Sequence, residues 1–354
     1  MKKINIFLKD ITENGGGERV CVNLANAFAN KYQVKIFSFY KSFDKPTYKI
    51  HQNVKISYLS EYNFHHATKI KKIFLKTLYR YLLSLQIFFK FINVKNEILL
   101  ANDGFFLPFF KNKNLKYLRI WHIKTPKKKK RIFSHFDAII ILSSQDLKKW
   151  HKWHKNIIYI PNFLPKMPDV TTNHQQKVVL FLGRFSKEKG VLRLIDIWKK
   201  VQEEAKFREW NLVFVGDGVL KEAMQDKINK LNLNDTIIIK GFTNDVEKEY
   251  LSASIYAMSS YSEGFGMVLI ESASYALPSV AFDIAGLSDI IENEKSGFLI
   301  EDGNLQEFAK KLQVLMRDEK LRKTMGENAK ELVKKRFSKE IVLKKWQDLF
   351  ASLK

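Results

Sequence analysis

Short apolar runs recur along the chain, and each is followed by a polar turn or by a segment with helical spacing. The first run, INIFLK at residues 3–8, precedes a glycine cluster and then VCVNLANAFAN, whose apolar positions recur as on one face of a helix. The runs VKIFSFY, EILLA, KYLRIW and FDAIIILS continue this pattern. Alternating strands and helices predict a parallel sheet that is covered by helices on both faces.

A proline-rich segment then interrupts the alternation. Residues 160–176, IPNFLPKMPDVTTNHQQ, contain three prolines and few apolar residues, so we interpret them as a linker. The pattern restarts with KVVLFLG and continues through NLVFVG, TIIIKG, SIYAMSS, PSVAFD and GFLI, and three helical patterns close the chain. The sequence therefore predicts two doubly wound α/β domains joined by a linker.

Composition supports a folded protein in a reducing compartment. A chain of 354 residues is too long for one ordinary core, and 45% hydrophobic with 13% aromatic residues exclude a disordered chain. The single cysteine, Cys21, cannot form an internal disulfide. We find neither a signal peptide at the N-terminus nor an uncharged apolar run of membrane-spanning length. We therefore expect a cytoplasmic protein that is soluble or bound to a membrane surface.

The charge is concentrated in the first half. Residues 1–170 contain 32 Lys and Arg against 10 Asp and Glu, a net charge of +22, whereas residues 171–354 contain 29 against 27, a net charge of +2. The first half is therefore expected to face a polyanion or an anionic surface.

Loops that follow strands are where an open parallel sheet binds its ligands. The first such loop contains Gly15, Gly16 and Gly17, which allow backbone N–H groups to approach a phosphate at a helix N-terminus, although a plain tight turn explains them equally well. In the second, GRFSKEKG, Arg184 and Lys189 form a candidate diphosphate clamp, with a solvated basic turn as the alternative.

Two acids stand at the ends of EGFGMVLIE. Glu263 lies in a loop that two glycines make pliable, and Glu271 falls about one and a half turns into the helix that follows. The pair can therefore contact different parts of one elongated ligand, although Glu271 also suits an ordinary early-helix position.

A histidine completes the candidate chemistry. His122 directly follows the strand KYLRIW, where it is suited to donate a hydrogen bond or a proton. His151 and His154 have helical spacing but no cysteine or acidic neighbour, so we interpret them as surface residues and expect no metal site.

These loops, in this order, resemble the family 4 retaining glycosyltransferases, which have the GT-B fold of two Rossmann-like domains with a cleft between them. GGGERV, the histidine at a strand end, GRFSKEKG, VGDG and SEGFGMVLIESASYALP carry the resemblance over nearly the whole chain. It implies an N-terminal acceptor-binding, membrane-facing domain over residues 1–165 and a C-terminal nucleotide-sugar-binding domain over residues 166–335. Residues 336–354 would form a helix that packs back on the N-terminal domain.

The resemblance also implies a role for each candidate residue. Arg184 and Lys189 would hold the donor diphosphate, and Glu271 the ribose hydroxyls. Glu263 and His122 would contact the donor sugar at the reacting carbon, as the catalytic residues. The remaining donor contacts would come from Gly15, Gly16, Gly17, Phe242 beside the nucleobase, Gly264, Phe265, Gly266 and Met267.

The implied activity is a retaining, metal-independent transfer of a sugar from a nucleotide sugar, with UDP preferred, to a lipid-linked saccharide or lipopolysaccharide. No DxD triplet occurs in the sequence, which fits chemistry without a metal, and no cofactor is expected. Two features depart from the family pattern. Gly17 replaces the usual small residue after the first two glycines, and the loop ANDGFF offers Asp103 as a candidate acceptor contact without a family role.

Residues 69–92 predict a helix with an apolar side and a basic side. Its apolar side would comprise Ile70, Phe74, Leu78, Tyr81, Leu85, Phe88 and Ile92, and its basic side Lys69, Lys72, Lys76, Arg80 and Lys90. KKKKR at residues 127–131 adds a second basic cluster. This helix either covers the core with its lysines in water or docks, with the 127–131 cluster, on the anionic inner membrane as a peripheral protein.

Other functions fit less of the sequence. A nucleotide-sugar epimerase of the same fold is the main alternative, and a phosphorylase would need a much longer chain. The positive charge alone suggests nucleic-acid binding, but the first half contains no recognised nucleic-acid-binding signature and the second half is nearly neutral. We therefore expect no specific nucleic-acid partner.

Overall fold

The computed structural model describes residues 2–123, 125–284 and 286–353. The chain separates into two compact units, one formed by Met1–Pro161 with Leu343–Lys354 and the other by Asn162–Val342. The boundaries expected from the sequence were 165/166 and 335/336. The residues at the two ends of that division, 1 and 354, lie outside the described part of the chain.

The N-terminal unit is built on a seven-stranded sheet in the order β3-β2-β1-β4-β5-β6-β7, and every pair is parallel. The strands are β1 (Lys3–Asp10), β2 (Gln33–Tyr40), β3 (Val54–Tyr58), β4 (Glu97–Ala101), β5 (Lys116–Trp121), β6 (Ala138–Ile141) and β7 (Ile157–Tyr159). The helices are α1 (Gly16–Phe28), α2 (Lys69–Phe74), α3 (Arg80–Phe91) and α4 (Leu147–His151), with a π-helical turn at Leu75–Tyr79 between α2 and α3.

The C-terminal unit repeats this architecture with six parallel strands in the order β10-β9-β8-β11-β12-β13. The strands are β8 (Val178–Leu182), β9 (Asn211–Val215), β10 (Ile237–Lys240), β11 (Ile255–Met258), β12 (Ser279–Phe282) and β13 (Gly297–Ile300). The helices are α5 (Val191–Val201), α6 (Lys221–Lys230), α7 (Val246–Leu251), α8 (Met267–Ser274), α9 (Leu305–Arg317) and α10 (Glu319–Phe337).

The predicted fold class of two Rossmann-like parallel-sheet domains is confirmed. The sequence pattern missed strands β3 and β7 because they are short and only partly buried. It also missed helix α6, which buries only Met224 and Ile228 among polar residues, and the short helix α7.

The last helix, α11 (Lys339–Ser352), belongs to the N-terminal unit from Leu343 onward. The rings of Trp346 and Phe350 lie edge-on to Phe28 of α1, with centroids 5.7 and 5.4 Å from its ring. Aromatic edge contacts of this kind add to the burial of apolar area, so they fix the end of the chain against α1.

The segment from Lys69 to Phe91 forms a helix, but its predicted apolar side is not the side that packs on the core. Leu75, Leu83, Ile87 and Phe91 are buried, whereas Ile70 and Leu78 are 82% and 57% exposed. The π-helical turn adds a residue to one turn and rotates the second half of the segment, which a projection at constant spacing cannot anticipate. The segment is thus apolar on two sides, and one of them faces solvent.

The proline-rich linker contains no regular element beyond an isolated bridge between Leu164 and Ser338. Thr172 is buried and donates to the carbonyl of Ala253 at 2.5 Å, and Arg322 donates to the carbonyl of His174 at 2.8 Å. The linker is therefore fixed to the C-terminal unit. None of the helices in the described ranges has the length and apolar composition that crossing a bilayer requires.

Glycine at position 190 allows the loop after β8 to approach the end of β11. Gly190 has φ +66°, and a Cβ atom there would lie 2.0 Å from the carbonyl oxygen of Ser259. We expect Gly190→Ala to lower the free energy of unfolding by about 2 kcal/mol or more, because strain and clash add. Chemical denaturation checks this, with Gly241→Ala as the control because nothing lies within 4 Å of its added Cβ. Equal stability of the two variants would contradict the expectation.

Candidate active-site residues in the two units

In each unit, the order of the strands reverses beside the first strand, and the loops after the two strands at that point diverge to opposite faces of the sheet. This crevice is where open α/β sheets bind ligands. In the N-terminal unit it lies between the loops after β1 and β4, and in the C-terminal unit between the loops after β8 and β11. The predicted residues Gly15, Arg184, Lys189 and Glu263 belong to these loops, and Gly16 and Gly17 begin helix α1 directly after Gly15.

In the C-terminal unit, Lys189 and Glu263 form an ion pair. The Lys189 ammonium donates to both carboxylate oxygens of Glu263, at 2.7 and 2.9 Å. Ser260 donates a further hydrogen bond to Oε1 at 2.5 Å. The Glu263 side chain is only 8% exposed and that of Lys189 28%, so solvent screens the pair weakly. The structure therefore brings together two residues that the sequence assigned to different parts of the donor.

Arg184 lies exposed in the same loop as Lys189. The loop packs against the VGDG turn after β9, where a Cβ on Gly216 would lie 2.0 Å from the carbonyl oxygen of Gly183. Asp217 accepts the backbone N–H of Gly218 at 2.8 Å, which is the role of a turn residue that the sequence favoured. The glycines of this turn thus serve to seat the basic loop.

Helix α8 begins between the two acids. Gly266 caps this helix with φ +91°, and Met267 is its first residue. Phe265 is buried with its ring 5.6 Å from that of Phe337, while Gly264 is exposed. Because α8 begins after these residues, its first backbone N–H groups have no partners within the helix, which suits an anion.

Glu271 is buried inside α8 and is oriented by a tyrosine. It is 5% exposed, and Tyr250 of α7 donates its hydroxyl to Oε2 at 3.2 Å. Tyr250 in turn stacks on Tyr275 with ring centroids 5.2 Å apart. Sequence reasoning missed Tyr250 because it lies in a short helix that the apolar pattern did not reveal.

Phe242 follows β10, the outer strand of the C-terminal sheet. Its ring is 65% exposed and lies next to Gly241, around which nothing is within 4 Å of an added Cβ. An exposed aromatic ring at a strand end can stack on a flat ligand such as a nucleobase.

In the N-terminal unit, Asn102 links the glycine loop to the histidine. Asn102 is 1% exposed, and its Nδ2 donates to the carbonyl oxygen of Gly17 at 3.0 Å. His122 Nε2 lies 3.1 Å from Asn102 Oδ1, and this amide oxygen can only accept. The hydrogen-bond network therefore assigns the proton of the imidazole to Nε2.

This network changes the expected chemistry of His122. Burial and, to a smaller extent, the nearby charge of Arg119 lower the pKa of His122 to about 4, against the opposing effect of the hydrogen bond to Asn102. The ring is thus neutral at pH 7, and Nδ1 carries a lone pair without a proton. The geometry favours His122 as an acceptor of a hydroxyl proton in a hydrogen bond over the donor role expected from the sequence.

Asp103 is engaged by the backbone. Its carboxylate accepts the N–H groups of Lys9 at 2.6 Å and Phe105 at 2.8 Å, and so closes the loop after β4. These bonds favour a structural role for Asp103 over the acceptor contact suggested by the sequence. Within the described ranges, no group of three or more His, Cys, Asp or Glu side chains is arranged to hold a metal ion.

Comparison with known proteins finds relatives by sequence and solved structures with the same fold. The family Glycosyl transferases group 1 matches residues 165–332. An uncharacterised glycosyltransferase of Haemophilus influenzae is 28% identical over 372 residues, covering 99% of this chain and 100% of that protein. The Campylobacter jejuni GalNAc-α-(1→4)-GalNAc-α-(1→3)-diNAcBac-PP-undecaprenol α-1,4-N-acetyl-D-galactosaminyltransferase is 26% identical over 373 residues, covering 100% of this chain and 99% of that protein.

Among solved structures, a variant of S. aureus TarM crystallised with UDP superposes with a TM-score of 0.83 at 19% identity, covering 99% of this chain and 100% of that chain. The two units thus have the Rossmann-like architecture of the GT-B fold. The protein is a glycosyltransferase, and its residues 165–332 match the family Glycosyl transferases group 1. The expected family and enzyme class are confirmed.

The lowered pKa of His122 predicts a loss of stability in acid. Between pH 6.5 and about 4 the unfolded chain takes up a proton at this side chain that the folded protein excludes. The free energy of unfolding therefore falls as the pH drops through this window and is unaffected above it. In His122→Gln the fall should be smaller, by up to about 1.4 kcal/mol for each unit of pKa shift. Urea denaturation from pH 7.5 to 4.5 checks this against the exposed His65→Gln, and identical pH profiles would refute it.

Proposed function

We propose that the protein is a retaining glycosyltransferase that moves a sugar from a UDP-sugar to a lipid-linked saccharide or lipopolysaccharide acceptor without a metal ion. The proposal rests on one observation above all. The ion pair of Lys189 and Glu263 lies at the crevice of the C-terminal sheet, beside the exposed Arg184 and the start of α8. Cations for a diphosphate and an acid for a sugar are thus adjacent.

The donor diphosphate would be held by cations and backbone amides. Arg184 offers a planar fork to phosphate oxygens, and its exposure means that little solvation is lost on binding. Lys189 has three N–H donors, and it directs N–H groups to both carboxylate oxygens of Glu263. A diphosphate that draws on Lys189 would share it with the carboxylate, so that Glu263 stays oriented towards the sugar next to the phosphate.

The hydroxyl groups of the donor would be held by acids. A carboxylate accepts hydrogen bonds from two neighbouring hydroxyls, such as those of a ribose. Glu271 is already oriented by Tyr250, so binding costs little ordering of its side chain. Phe242 would stack on the uracil. In the N-terminal unit, the neutral His122 could accept a hydrogen bond from a hydroxyl group of a sugar bound there.

The same groups suit the transition state of the transfer. As the bond between the anomeric carbon and the diphosphate breaks, positive charge develops on the sugar and negative charge on the leaving diphosphate. Fixed groups that face developing charge lower the barrier more than groups that must first reorient. Arg184, Lys189 and the N-terminus of α8 would stabilise the leaving group, and Glu263 the sugar.

The acceptor class is supported by relatives and by the surface of the N-terminal unit. The Campylobacter jejuni relative is named for a saccharide linked through diphosphate to undecaprenol, a membrane lipid. The helix at Lys69–Phe91 presents exposed apolar side chains, among them Ile70, Ile73, Leu82 and Phe89. Lysines 127–130 are exposed in the same unit. Exposed apolar side chains together with lysines are typical of peripheral binding to anionic membranes.

Single substitutions of Glu263 and Arg184 should have different effects, one on the rate of transfer and the other on the affinity for UDP. We expect Glu263→Ala to lower transfer at least a hundredfold while UDP binds as tightly as before or more tightly, because Lys189 is released from its partner. Arg184→Ala should weaken UDP binding about tenfold or more. Calorimetry with UDP, and mass analysis of products formed from UDP-sugars on membrane extracts, measure the two effects.

Glu209→Ala serves as the control, since the exposed side chain of Glu209 forms a surface ion pair with Lys177. Normal turnover in both site variants would remove the assignment of the donor site. Release of free sugar and nucleotide without an acceptor product would favour the epimerase alternative.

Membrane binding should depend on the basic cluster at residues 127–131. Each lysine near an anionic surface contributes about 1 kcal/mol, so reversal of Lys127, Lys128 and Lys129 to Glu should weaken vesicle binding a hundredfold or more. Co-sedimentation with phosphatidylglycerol vesicles measures this, and phosphatidylcholine vesicles should bind neither protein. The control reverses Lys221, Lys230 and Lys320, which are exposed in the C-terminal unit. Equal losses in the two triple variants would show that overall charge, and not this surface, governs binding.

A further inference from the structure

Arg119 is a buried arginine whose guanidinium forms no hydrogen bond or ion pair within the ranges that the structure describes. It projects from β5, is 8% exposed, and its Nε is completely enclosed. The rings of Trp121 and Phe136 lie 4.8 and 5.5 Å from the guanidinium carbon. Burying a charge without a partner costs several kcal/mol, so this arrangement calls for an explanation.

Two other arginines show how this protein otherwise buries the group. Arg193 is 6% exposed and donates to Asp302 at 2.6 Å and to the carbonyl oxygens of Ser259 and Ser260. Arg322 is 5% exposed and donates to the carbonyl oxygens of His174, Leu315 and Met316. Their guanidinium nitrogens all have acceptors.

Stacking on aromatic rings does not replace these bonds. Arg193 lies between the rings of Tyr261 and Phe282, at 3.8 and 3.9 Å, closer than Arg119 to its own rings, and it is still fully hydrogen-bonded. The aromatic rings therefore enclose the guanidinium group of Arg119 but do not provide hydrogen-bond acceptors for its N–H groups.

A second arginine, Arg80 of helix α3, lies close to Arg119. Arg80, at the start of α3, has a buried Nε without a hydrogen-bond acceptor among the described residues, and its Nη1 makes only a long contact of 3.4 Å to the carbonyl oxygen of Gly104. A Cβ on Gly104 would lie 3.3 Å from Nη2 of Arg119. Two guanidinium groups thus meet at Gly104. The sequence placed Arg80 on a solvated basic side, and the structure corrects this.

The nearest acid does not neutralise the two arginines. Asp103 uses its carboxylate on the N–H groups of Lys9 and Phe105, and within the described ranges it forms no ion pair with Arg80 or Arg119. Its negative charge favours the charged form of Arg119, but burial and the charge of Arg80 lower the pKa of Arg119 to about 10. The pair therefore retains uncompensated positive charge in an apolar surrounding.

We propose that Arg80 and Arg119 form a binding site for an oxyanion, a phosphoryl or carboxylate group, that the acceptor carries. The Nε atoms of the two arginines are enclosed, so the Nη groups that meet at Gly104 are the donors available to the oxyanion. Guanidinium N–H groups form strong, charge-assisted hydrogen bonds with phosphoryl and carboxylate oxygens. The aromatic walls exclude water, which strengthens the attraction between the charges. That the oxyanion belongs to the acceptor rests on the proposed function, since the site lies in the unit without the diphosphate clamp and close enough to His122 for Arg119 to affect its pKa.

Anion binding to the full-length protein tests the site without any catalysis. All proteins carry Arg184→Ala, so that the candidate donor clamp does not bind the probes. Inorganic phosphate and glucuronate are titrated at constant ionic strength, with methyl glucoside as the uncharged comparison, and binding is followed by thermal shift and calorimetry. We expect phosphate, glucuronate or both to raise Tm, and methyl glucoside to leave it unchanged.

Substitution of either arginine should remove this response. In Arg119→Met the anion should bind at least tenfold more weakly, and Tm without anion should stay equal or rise, because an unpaired buried charge is gone. Arg119→Lys keeps the charge but loses the fork, and it should also bind at least tenfold more weakly. Arg80→Met should behave like Arg119→Met, and the exposed Arg208→Met is the control.

Two results would overturn the site: neither anion raises Tm of the parent protein, or the Arg119 and Arg80 variants respond as Arg208→Met does. A response to glucuronate alone identifies a carboxylate as the preferred group, and a response to phosphate alone a phosphoryl group. The proposed transfer reaction is tested separately by Glu263→Ala, which leaves both arginines intact. Failure of one proposal is therefore distinguishable from failure of the other.

Discussion

Parallel strands that reverse their order beside the first strand impose the main constraint on this protein. In both sheets the loops at the reversal leave the carboxyl ends of neighbouring strands, so residues far apart in sequence come together without any further device. Lys189 and Glu263 are 74 residues apart and share a hydrogen-bonded ion pair. Gly17 and Asn102 are 85 residues apart and are joined by one hydrogen bond.

Charge is handled differently in the two units. In the C-terminal unit the candidate cation Lys189 is hydrogen-bonded to the candidate acid Glu263, so each orients the other. In the N-terminal unit a neutral histidine is held by an amide, and two arginines lie nearby without paired acids in the described residues. The difference in net charge between the two halves of the chain is therefore also found at their candidate sites. Charges are paired in the nearly neutral half and left unpaired by acids in the positive half.

Supporting residues give the candidate sites their geometry. Tyr250 orients Glu271, Ser260 orients Glu263, and Asn102 fixes both the tautomer of His122 and its link to the glycine loop. None of these residues is unusual in sequence, because serine, asparagine and tyrosine occur in every part of a protein. Their roles depend on which strand ends and helices adjoin, and only the folded chain determines this.

The sequence alone determined the two α/β units, and it predicted the loops after the strands as the site of chemistry, with Arg184, Lys189, Glu263 and Glu271 as separate candidate residues. It could do so because apolar runs of strand length and glycine-rich turns are local signals that do not depend on distant residues. The tertiary structure decided which of these residues pair, that the buried His122 is neutral and hydrogen-bonded to Asn102, and that Arg80 meets Arg119 at Gly104. It also decided which side of the Lys69–Phe91 helix is buried, since one π-helical turn rotates the segment. Pairing, burial and protonation depend on contacts between residues distant in sequence, and a linear pattern does not contain that information.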